Sequence, residues 1–232
     1  MKQNIVIFGG SSGIGFQLAK CLLEKGNEVV IVSGTLEKLE IARHNLGNKG
    51  IFFKVDANNE SEIIEFANKI GPVDHLIITI RGSNISDLFA ESQTTEVKKA
   101  FDEKFWTQYQ IVRHCLNKIK PTGSIIMTSG IASQRSYPGF YWQACANGAI
   151  ETLARSLSTE ILPVRINVVS PGFVEQRPDD KERFEKVKKI EPKIPMKRLA
   201  SKDEIIEGYL YLMNNSYTTG TTLVIDGGIL NA

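Results

Sequence analysis

The sequence predicts an α/β fold: one doubly wound, parallel sheet of about seven strands with helices on both faces. Two observations predict it. Short runs that are apolar on both faces alternate with amphipathic, helix-length stretches from one end to the other. No internal repeat and no low-complexity linker divides the 232 residues, of which 42% are hydrophobic and 23% charged. Folds of this kind reach that length without splitting, so residues 1–232 are read as one domain.

The elements follow in order. Asn4–Phe8 reads as a buried strand, because Ile5-Val-Ile-Phe8 leaves no polar face. A glycine-rich turn leads from it into a helix over Gly15–Glu24. Glu28–Ser33 repeats the buried-strand pattern, and Thr35 stands where a residue caps the next helix, Leu36–Asn45. Gly50–Lys54 is a short strand followed by a helix over Ser61–Ile70. His75–Ile80 is the fourth strand, and the periodic stretch Thr95–Ile119 reads as one long helix. Gly123–Thr128 and Arg165–Ser170 are strands on either side of a helix over Trp142–Ile161. A helix over Lys202–Met213 and a strand over Thr222–Ile225 complete the pattern. The irregular stretch from about Phe173 to Leu199 holds three prolines and is expected to form a lid over a ligand.

Composition excludes several function classes. A formal charge of +2 gives no electrostatic footprint for nucleic acid or anionic membrane. The densest charge run, Asp179 to Lys189, mixes both signs and reads as a solvated helix face. Cys21, Cys115 and Cys145 show no metal-ligand spacing and are expected to be reduced, buried small residues. No metal site is expected. No apolar run approaches the roughly 18 residues of a membrane span, and the chain enters a strand directly after Met1-Lys2. A cytoplasmic protein is the expectation.

The turn Gly9-Gly-Ser-Ser-Gly-Ile-Gly15 carries the first functional signal. Gly9 permits a tight turn, Gly13 lets backbone approach a pyrophosphate, and Gly15 lets helix pack on strand. The helix N-terminus adds unpaired N–H groups and a positive dipole for phosphates. A plain αβ turn also favours glycine, so the strand before and the helix after are what give the pattern weight.

Gly9-x-x-x-Gly13-x-Gly15 resembles the fingerprint of the short-chain dehydrogenase/reductase family, which usually has threonine at the place of Phe8. The resemblance continues at Asp56, at Arg165-Ile-Asn-Val-Val-Ser-Pro-Gly172, at Pro195-Met-Lys-Arg-Leu199 and at Thr219-Gly-Thr-Thr-Leu-Val-Ile-Asp-Gly-Gly228. It therefore spans nearly the whole chain and implies a Rossmann fold that binds a nicotinamide dinucleotide. By resemblance, Ser11, Ser12 and Ile14 join the three glycines around the phosphates, and Asp56 and Ala57 lie at the adenine. Thr79, Ile80, Arg81, Thr128 and Asn147 lie along the cofactor at the strand ends. Pro171, Gly172 and Val174 seat the nicotinamide amide. Family members pair through helices matching Thr95–Ile119 and Trp142–Ile161, so a homodimer or homotetramer is expected.

The choice of cofactor turns on residues 33–35. An acidic residue there would bond the ribose 2′-OH of NAD, but the chain has Ser33, Gly34 and Thr35. Ser33 and Thr35 can donate to a 2′-phosphate, and no carboxylate opposes one before Glu37. NADP(H) is preferred, with NAD(H) the alternative if Ser33-Gly-Thr35 is only a turn.

The reaction half departs from the family. Its Asn, Ser, Tyr and Lys, aligned through Ile131-Ala132 and Gly148-Ala-Ile150, correspond to Lys104, Gly130, Gln143 and Asn147. The strand-end motif, usually Asn-Asn-Ala-Gly, reads Ile78-Thr-Ile-Arg81, and Gln176 or a neighbour replaces a threonine. A positioned general acid is worth about 10²–10⁴-fold in rate, so an efficient reductase needs another proton source. Lys and Asn look exchanged between positions 104 and 147. An ammonium from the middle helix would hold the ribose, stabilise an alkoxide or act as acid if burial lowers its pKa; a solvated lysine on an amphipathic helix is the plain alternative. Lys104, Ser129, Gln143 and Asn147 are the candidate catalytic residues. Ser129 serves only if its loop shifts by one residue. Tyr141 faces away from the nicotinamide if the helix has begun there, and Tyr137 sits in the preceding loop. Arg81 and Arg135 fall on loops at strand ends, where they would select an anionic substrate; for Arg135 a plain surface role is the equal alternative. His44, His75 and His114 are structural, exposed or too distant, and Trp106, Trp142 and Phe140 read as core or interface residues.

The sequence thus supports an NADP(H)-dependent oxidoreductase with a non-standard site, acting on a small carbonyl or alcohol. Two alternatives stand beside it: a cofactor-binding sensor or partner subunit without catalysis, and a non-redox enzyme that retains nicotinamide.

Overall fold

The structure, a computed structural model, describes residues 2–83, 85–175, 185 and 187–232. Its seven strands form one parallel sheet in the order β3-β2-β1-β4-β5-β6-β7. They are β1 (Asn4–Phe8), β2 (Glu28–Ser33), β3 (Ile51–Lys54), β4 (Val73–Ile78), β5 (Ile119–Thr128), β6 (Arg165–Pro171) and β7 (Thr222–Ile225). Among the described residues the full α-helices are α1 (Gly13–Glu24), α2 (Leu36–Asn45), α3 (Glu60–Lys69), α4 (Thr94–Phe101), α5 (Thr107–Cys115), α6 (Tyr141–Glu160) and α7 (Lys202–Asn214). The predicted doubly wound sheet is the observed one, and β1, β2 and β7 keep their predicted bounds. The strand order reverses between β1 and β4, which opens the crevice where ligands of such sheets bind.

Burial follows the strand sequences. On one face Phe8, Ile78, Ile111 and Ile150 join a core under α3, α5 and α6. Phe66 meets Phe8 and Phe53 edge-on there, at 5.2 Å in each case. On the other face Leu18, Leu39, Ile205 and Tyr209 pack α1, α2 and α7 on Ile5, Ile7 and Ile126. A third cluster, Ile131, Ile194 and Ile229, joins the loop after β5 to the C-terminal segment.

The expected helix over Thr95–Ile119 is broken twice. A π turn at Asp102–Trp106 separates α4 from α5, and the helix stops at Cys115. Ile119 instead opens β5 beside Val73, with a register shift before His75 pairs Ser124. Pro121 in that stretch has no N–H to give a ladder, which favours such a bulge. Of the cysteines expected to be buried, only Cys115 is; Cys21 is half-buried and Cys145 is exposed. Trp142, Ala146, Asn147 and Ile150 take the inner stripe of α6, which turns Cys145 to solvent.

Beneath the sheet a polar row crosses three strands. His75 bonds Ser124 Oγ at 2.8 Å, and Ser124 pairs with Arg165, whose guanidinium reaches the carbonyls of Leu212 and Met213 at the end of α7. Burial, then the Arg165 charge, brings the His75 pKa down to about 4. Gln176 and most of the Asp179–Lys189 run lie outside the described residues.

Candidate active site

β1 delivers the chain to the phosphate turn. Gly9 and Gly13 hold φ of +81° and +57°, and a Cβ on Gly15 would stand 2.5 Å from Gly9 O and against Thr79 Oγ1. Thr79 locks the turn from below by donating its hydroxyl to Phe8 O at 3.0 Å. In front of Gly13 there is open space. The helix ladder begins only at Phe16 N to Ser12 O, the Ser12 side chain makes no capping bond, and the first turn of α1 has no acidic residue. The N–H groups and positive end of α1 therefore face a cradle of the right sign for an anion.

Beside the turn, Ser11 Oγ donates to Ser33 Oγ at 2.9 Å. Thr35 occupies the N-cap position of α2, but its hydroxyl makes no capping bond. Gly34 lies over Val55 O and the Asp56 backbone. Asp56 accepts from Asn58 N at 3.0 Å, and its own N–H goes to Glu62. Ala57 packs against the core.

Lys104 sits in the π turn and is 3% exposed. Its Nζ donates to Ile80 O at 3.2 Å and Thr128 O at 3.0 Å, at the carboxyl ends of β4 and β5. Loop 80–83 folds over it. A Cβ on Gly82, whose φ is +78°, would come within 3.0 Å of Lys104 Cβ, and Ser83 Oγ donates to Glu103. Burial, assisted by the Arg81 charge, lowers the Lys104 pKa to about 7. With two protons committed to carbonyls, the third position on Nζ changes between donor and acceptor near neutrality.

Thr128 is the hub of this region. Gln108, one turn after Lys104, clamps its peptide: Thr128 N donates to Gln108 Oε1 at 3.2 Å, and Gln108 Nε2 donates to Thr128 O at 3.0 Å. Gln108 Nε2 also reaches Lys104 O. Thr128 Oγ1 donates to Ile78 O at 2.6 Å and lies 2.7 Å from the Tyr209 hydroxyl on the opposite face.

The loop after β5 is fixed by two successive turns of α6. Asn147, 1% exposed, donates Nδ2 to Gly130 O at 3.1 Å and leaves its buried Oδ1 without a partner. Glu151 Oε1 accepts from Ser129 Oγ at 2.7 Å and Ser133 Oγ at 2.8 Å. Ser129 thus turns toward α6, while Gln143 makes no side-chain hydrogen bond among the described residues. Gly130 lies close to both Asn147 and Pro171 O. Beyond Pro171, Gly172 N donates to Ile225 O at 2.8 Å, and Val174 bridges to Ala200.

Sequence reasoning missed Gln108, Glu151 and Tyr209. Gln108 and Glu151 stand four residues after Lys104 and Asn147, so i,i+4 spacing was an available signal. Other candidates are engaged elsewhere. Arg135 binds the carbonyls of Ile229 and Ala232, which ties it to the C-terminal segment. α6 has begun at Tyr141, whose hydroxyl donates to Ser92 at 2.5 Å. His114 pairs with Glu60 at 2.7 Å, His44 is exposed, and Arg81 is an exposed residue of loop 80–83. Among the described residues, no helix is long and apolar enough to cross a membrane, and no group of three His, Cys, Asp or Glu is placed to hold a metal.

Comparison with known proteins agrees with this architecture. A family model described as enoyl-(acyl carrier protein) reductase matches residues 9–230. The chain is 27% identical to 3-oxoacyl-[acyl-carrier-protein] reductase of Mus musculus, over 99% of this chain and 98% of that protein. It is 30% identical to the short-chain dehydrogenase/reductase ATR9 of Stachybotrys chlorohalonatus, over 97% and 96%. Among solved structures, a small-chain dehydrogenase in complex with NADPH superposes with a TM-score of 0.85 at 30% identity over 100% of both chains. ElxO with NADP bound gives 0.90 at 26% identity, again over 100% of both.

Proposed function

The chain belongs to the short-chain dehydrogenase/reductase family, and on that premise we propose that it is an NADP(H)-dependent oxidoreductase with a non-standard active site. Its substrate is a small carbonyl compound or the corresponding alcohol. The observation that carries this reading is the buried Lys104 amine, held on two strand-end carbonyls at the mouth of the sheet.

The residues present fit the cofactor. The open cradle at Gly13, with α1 behind it, suits a pyrophosphate. Ser33 and Thr35 replace the carboxylate that would repel a 2′-phosphate. The orphaned Asn147 Oδ1 is an acceptor in search of a donor, as a ribose hydroxyl is. When bound, the reduced cofactor supplies a hydride. Lys104 supplies the positive charge that favours negative charge growing on a substrate oxygen, in a place where little water competes. Glu151 and Asn147 keep the β5–α6 loop in register beneath it.

The test is direct titration with NADPH and NADH, repeated on Lys104→Ala. Tight NADPH binding, weaker NADH binding, and loss of binding or turnover in the variant are expected. Unchanged affinity and turnover in the variant would refute the role of Lys104. A second reading, a cofactor-binding sensor or partner subunit, is favoured by Gly130, which has no side chain, and by the uncommitted amide of Gln143. NADPH binding without oxidation by any of a panel of carbonyls would select it. On either reading we take the protein to be a cytoplasmic homodimer or homotetramer. Pairing would use the face where Phe89, 79% exposed, and Trp106, 45% exposed, line one groove with Tyr141. Sedimentation tests it.

A further inference from the structure

Gln108 shares the buried stripe of α5 with Ile111, Val112 and Cys115, and it is 0% exposed. A buried side-chain amide is costly unless its donors and acceptor are paired, so its partners set its orientation. Pairing of β5 with β4 ends at Ile126, and Thr128, two residues on, has no residue of β4 opposite it. The Gln108 amide takes the place of the missing peptide. Its Oε1 accepts from Thr128 N at 3.2 Å, and its Nε2 donates to Thr128 O at 3.0 Å. Nε2 also donates to Lys104 O, one turn back on the helix, at 3.2 Å. Both amide protons and the carbonyl are thereby engaged, and a flipped amide would set donor against donor.

The same arrangement holds Lys104 at both ends. Its backbone is tied through Lys104 O, and its amine through Thr128 O, which accepts from Nζ at 3.0 Å as well as from Gln108 Nε2. The two nitrogens share one acceptor and stand at most about 6 Å apart, within the roughly 4–6 Å at which a neighbouring charge moves a pKa. Gln108 brings no charge to that place. The charged and titratable groups on the elements around the amine are Arg81 of loop 80–83, Asp102 and Glu103 of the π turn, Glu151 of α6 and Tyr209 of α7. Arg81 acts on the amine as a like charge. Asp102 is exposed, Glu103 accepts from Ser83, Glu151 accepts from Ser129 and Ser133, and the Tyr209 hydroxyl meets Thr128 Oγ1.

We infer that Gln108 is the positioning residue of the Lys104 amine: its neutral amide fixes Thr128 O as the seat of Nζ and leaves the ammonium charge available to a substrate oxygen. The inference rests on the oxidoreductase reading above. A carboxylate of the same shape at position 108 would keep the proton on Lys104 but pair with it internally, so that less of the charge reached a substrate. A hydrocarbon side chain there would leave Thr128 N without its acceptor and free the peptide on which Nζ rests. An amide meets both needs, because it donates and accepts without carrying charge.

The experiment follows NADPH-dependent reduction of two probes, a 3-oxoacyl thioester and an aromatic aldehyde, as a function of pH in wild type and three variants. Wild-type kcat should fall as pH rises through about 7, where Lys104 gives up its proton. In Gln108→Glu the last proton of the pair is held to higher pH, whichever side chain carries it, and the limb should move up by at least about one pH unit. Gln110→Glu adds the same charge about 200° round the helix and should leave the limb in place. Gln108→Met keeps the length of the side chain and removes the clamp. Its kcat should fall on the order of 10–100-fold, with the NADPH KM within about threefold of wild type. An unmoved limb in Gln108→Glu, an equal move in Gln110→Glu, or an unchanged kcat in Gln108→Met would overturn the inference and leave the reductase reading intact. A wild-type protein that binds NADPH but reduces neither probe would overturn both.

Discussion

Burying Lys104 makes stability depend on pH in a direction that few lysines produce. The folded state holds its pKa at about 7, against 10.5 for an ordinary lysine. Between these values the unfolded chain binds the proton that the folded chain releases, so stability rises with pH across the window. The full shift corresponds to about 5 kcal/mol, most of which falls between pH 7 and pH 10. Below pH 7 both states carry the proton and the slope vanishes. The assay is urea unfolding of wild type and Lys104→Met at pH 7, 8, 9 and 10, followed by the fluorescence of Trp106 and Trp142. The raised thiol pKa of Cys115, about 12 from burial, works in the opposite sense above pH 9, but it is common to both proteins and cancels in the difference. The variant loses two hydrogen bonds, although Thr128 O keeps Gln108 Nε2. Relative to the variant, wild type should gain about 3 kcal/mol from pH 7 to pH 10. Parallel curves, differing by a constant to within about 1 kcal/mol, would refute a neutral buried amine.

Three further outcomes are expected. As pH falls from 6.5 to 4, the folded state resists protonation of His75, whose pKa there is about 4, so about 3 kcal/mol of stability is lost; the acid limb of the unfolding profile of His75→Gln should be flatter by that amount. Gly15→Ala puts a methyl group against Gly9 O and Thr79 Oγ1, which should cost about 1–3 kcal/mol in a denaturant titration and remove NADPH binding. Ser33→Asp places a carboxylate at the end of β2, and parallel titrations should show the NADPH-to-NADH affinity ratio falling at least about tenfold, since 1.4 kcal/mol of repulsion suffices.

The sheet was legible because its strands are apolar on both faces, a pattern that does not depend on which helix covers them. Ile5 to Phe8 and Glu28 to Ser33 could hardly be read otherwise. The π turn was not legible. Asp102-Glu103-Lys104 reads as the polar face of a helix, and only the carbonyls of Ile80 and Thr128, distant in sequence, give Lys104 a reason to turn inward. Cys145 was misread for a related cause: periodicity locates a buried stripe, but polar Asn147 belongs to that stripe and Cys145 does not. At the site, the glycine turn announced itself through local backbone demands. Thr128, Gln108 and Glu151 are ordinary residues whose partners exist only after the chain has folded, so their roles could not be read in advance.

The hub at Thr128 also bears on how such a site changes over generations. Its peptide is held by Gln108, its carbonyl also by Lys104, and its hydroxyl by Tyr209 across the sheet. Replacing Lys104 alone withdraws a donor from two strand-end carbonyls, and adding a side chain at Gly130 alone presses a Cβ to 3.2 Å from Asn147 Nδ2. Positions 104 and 130 thus act on one connected hydrogen-bonded unit, so the effects of changing both are expected not to add.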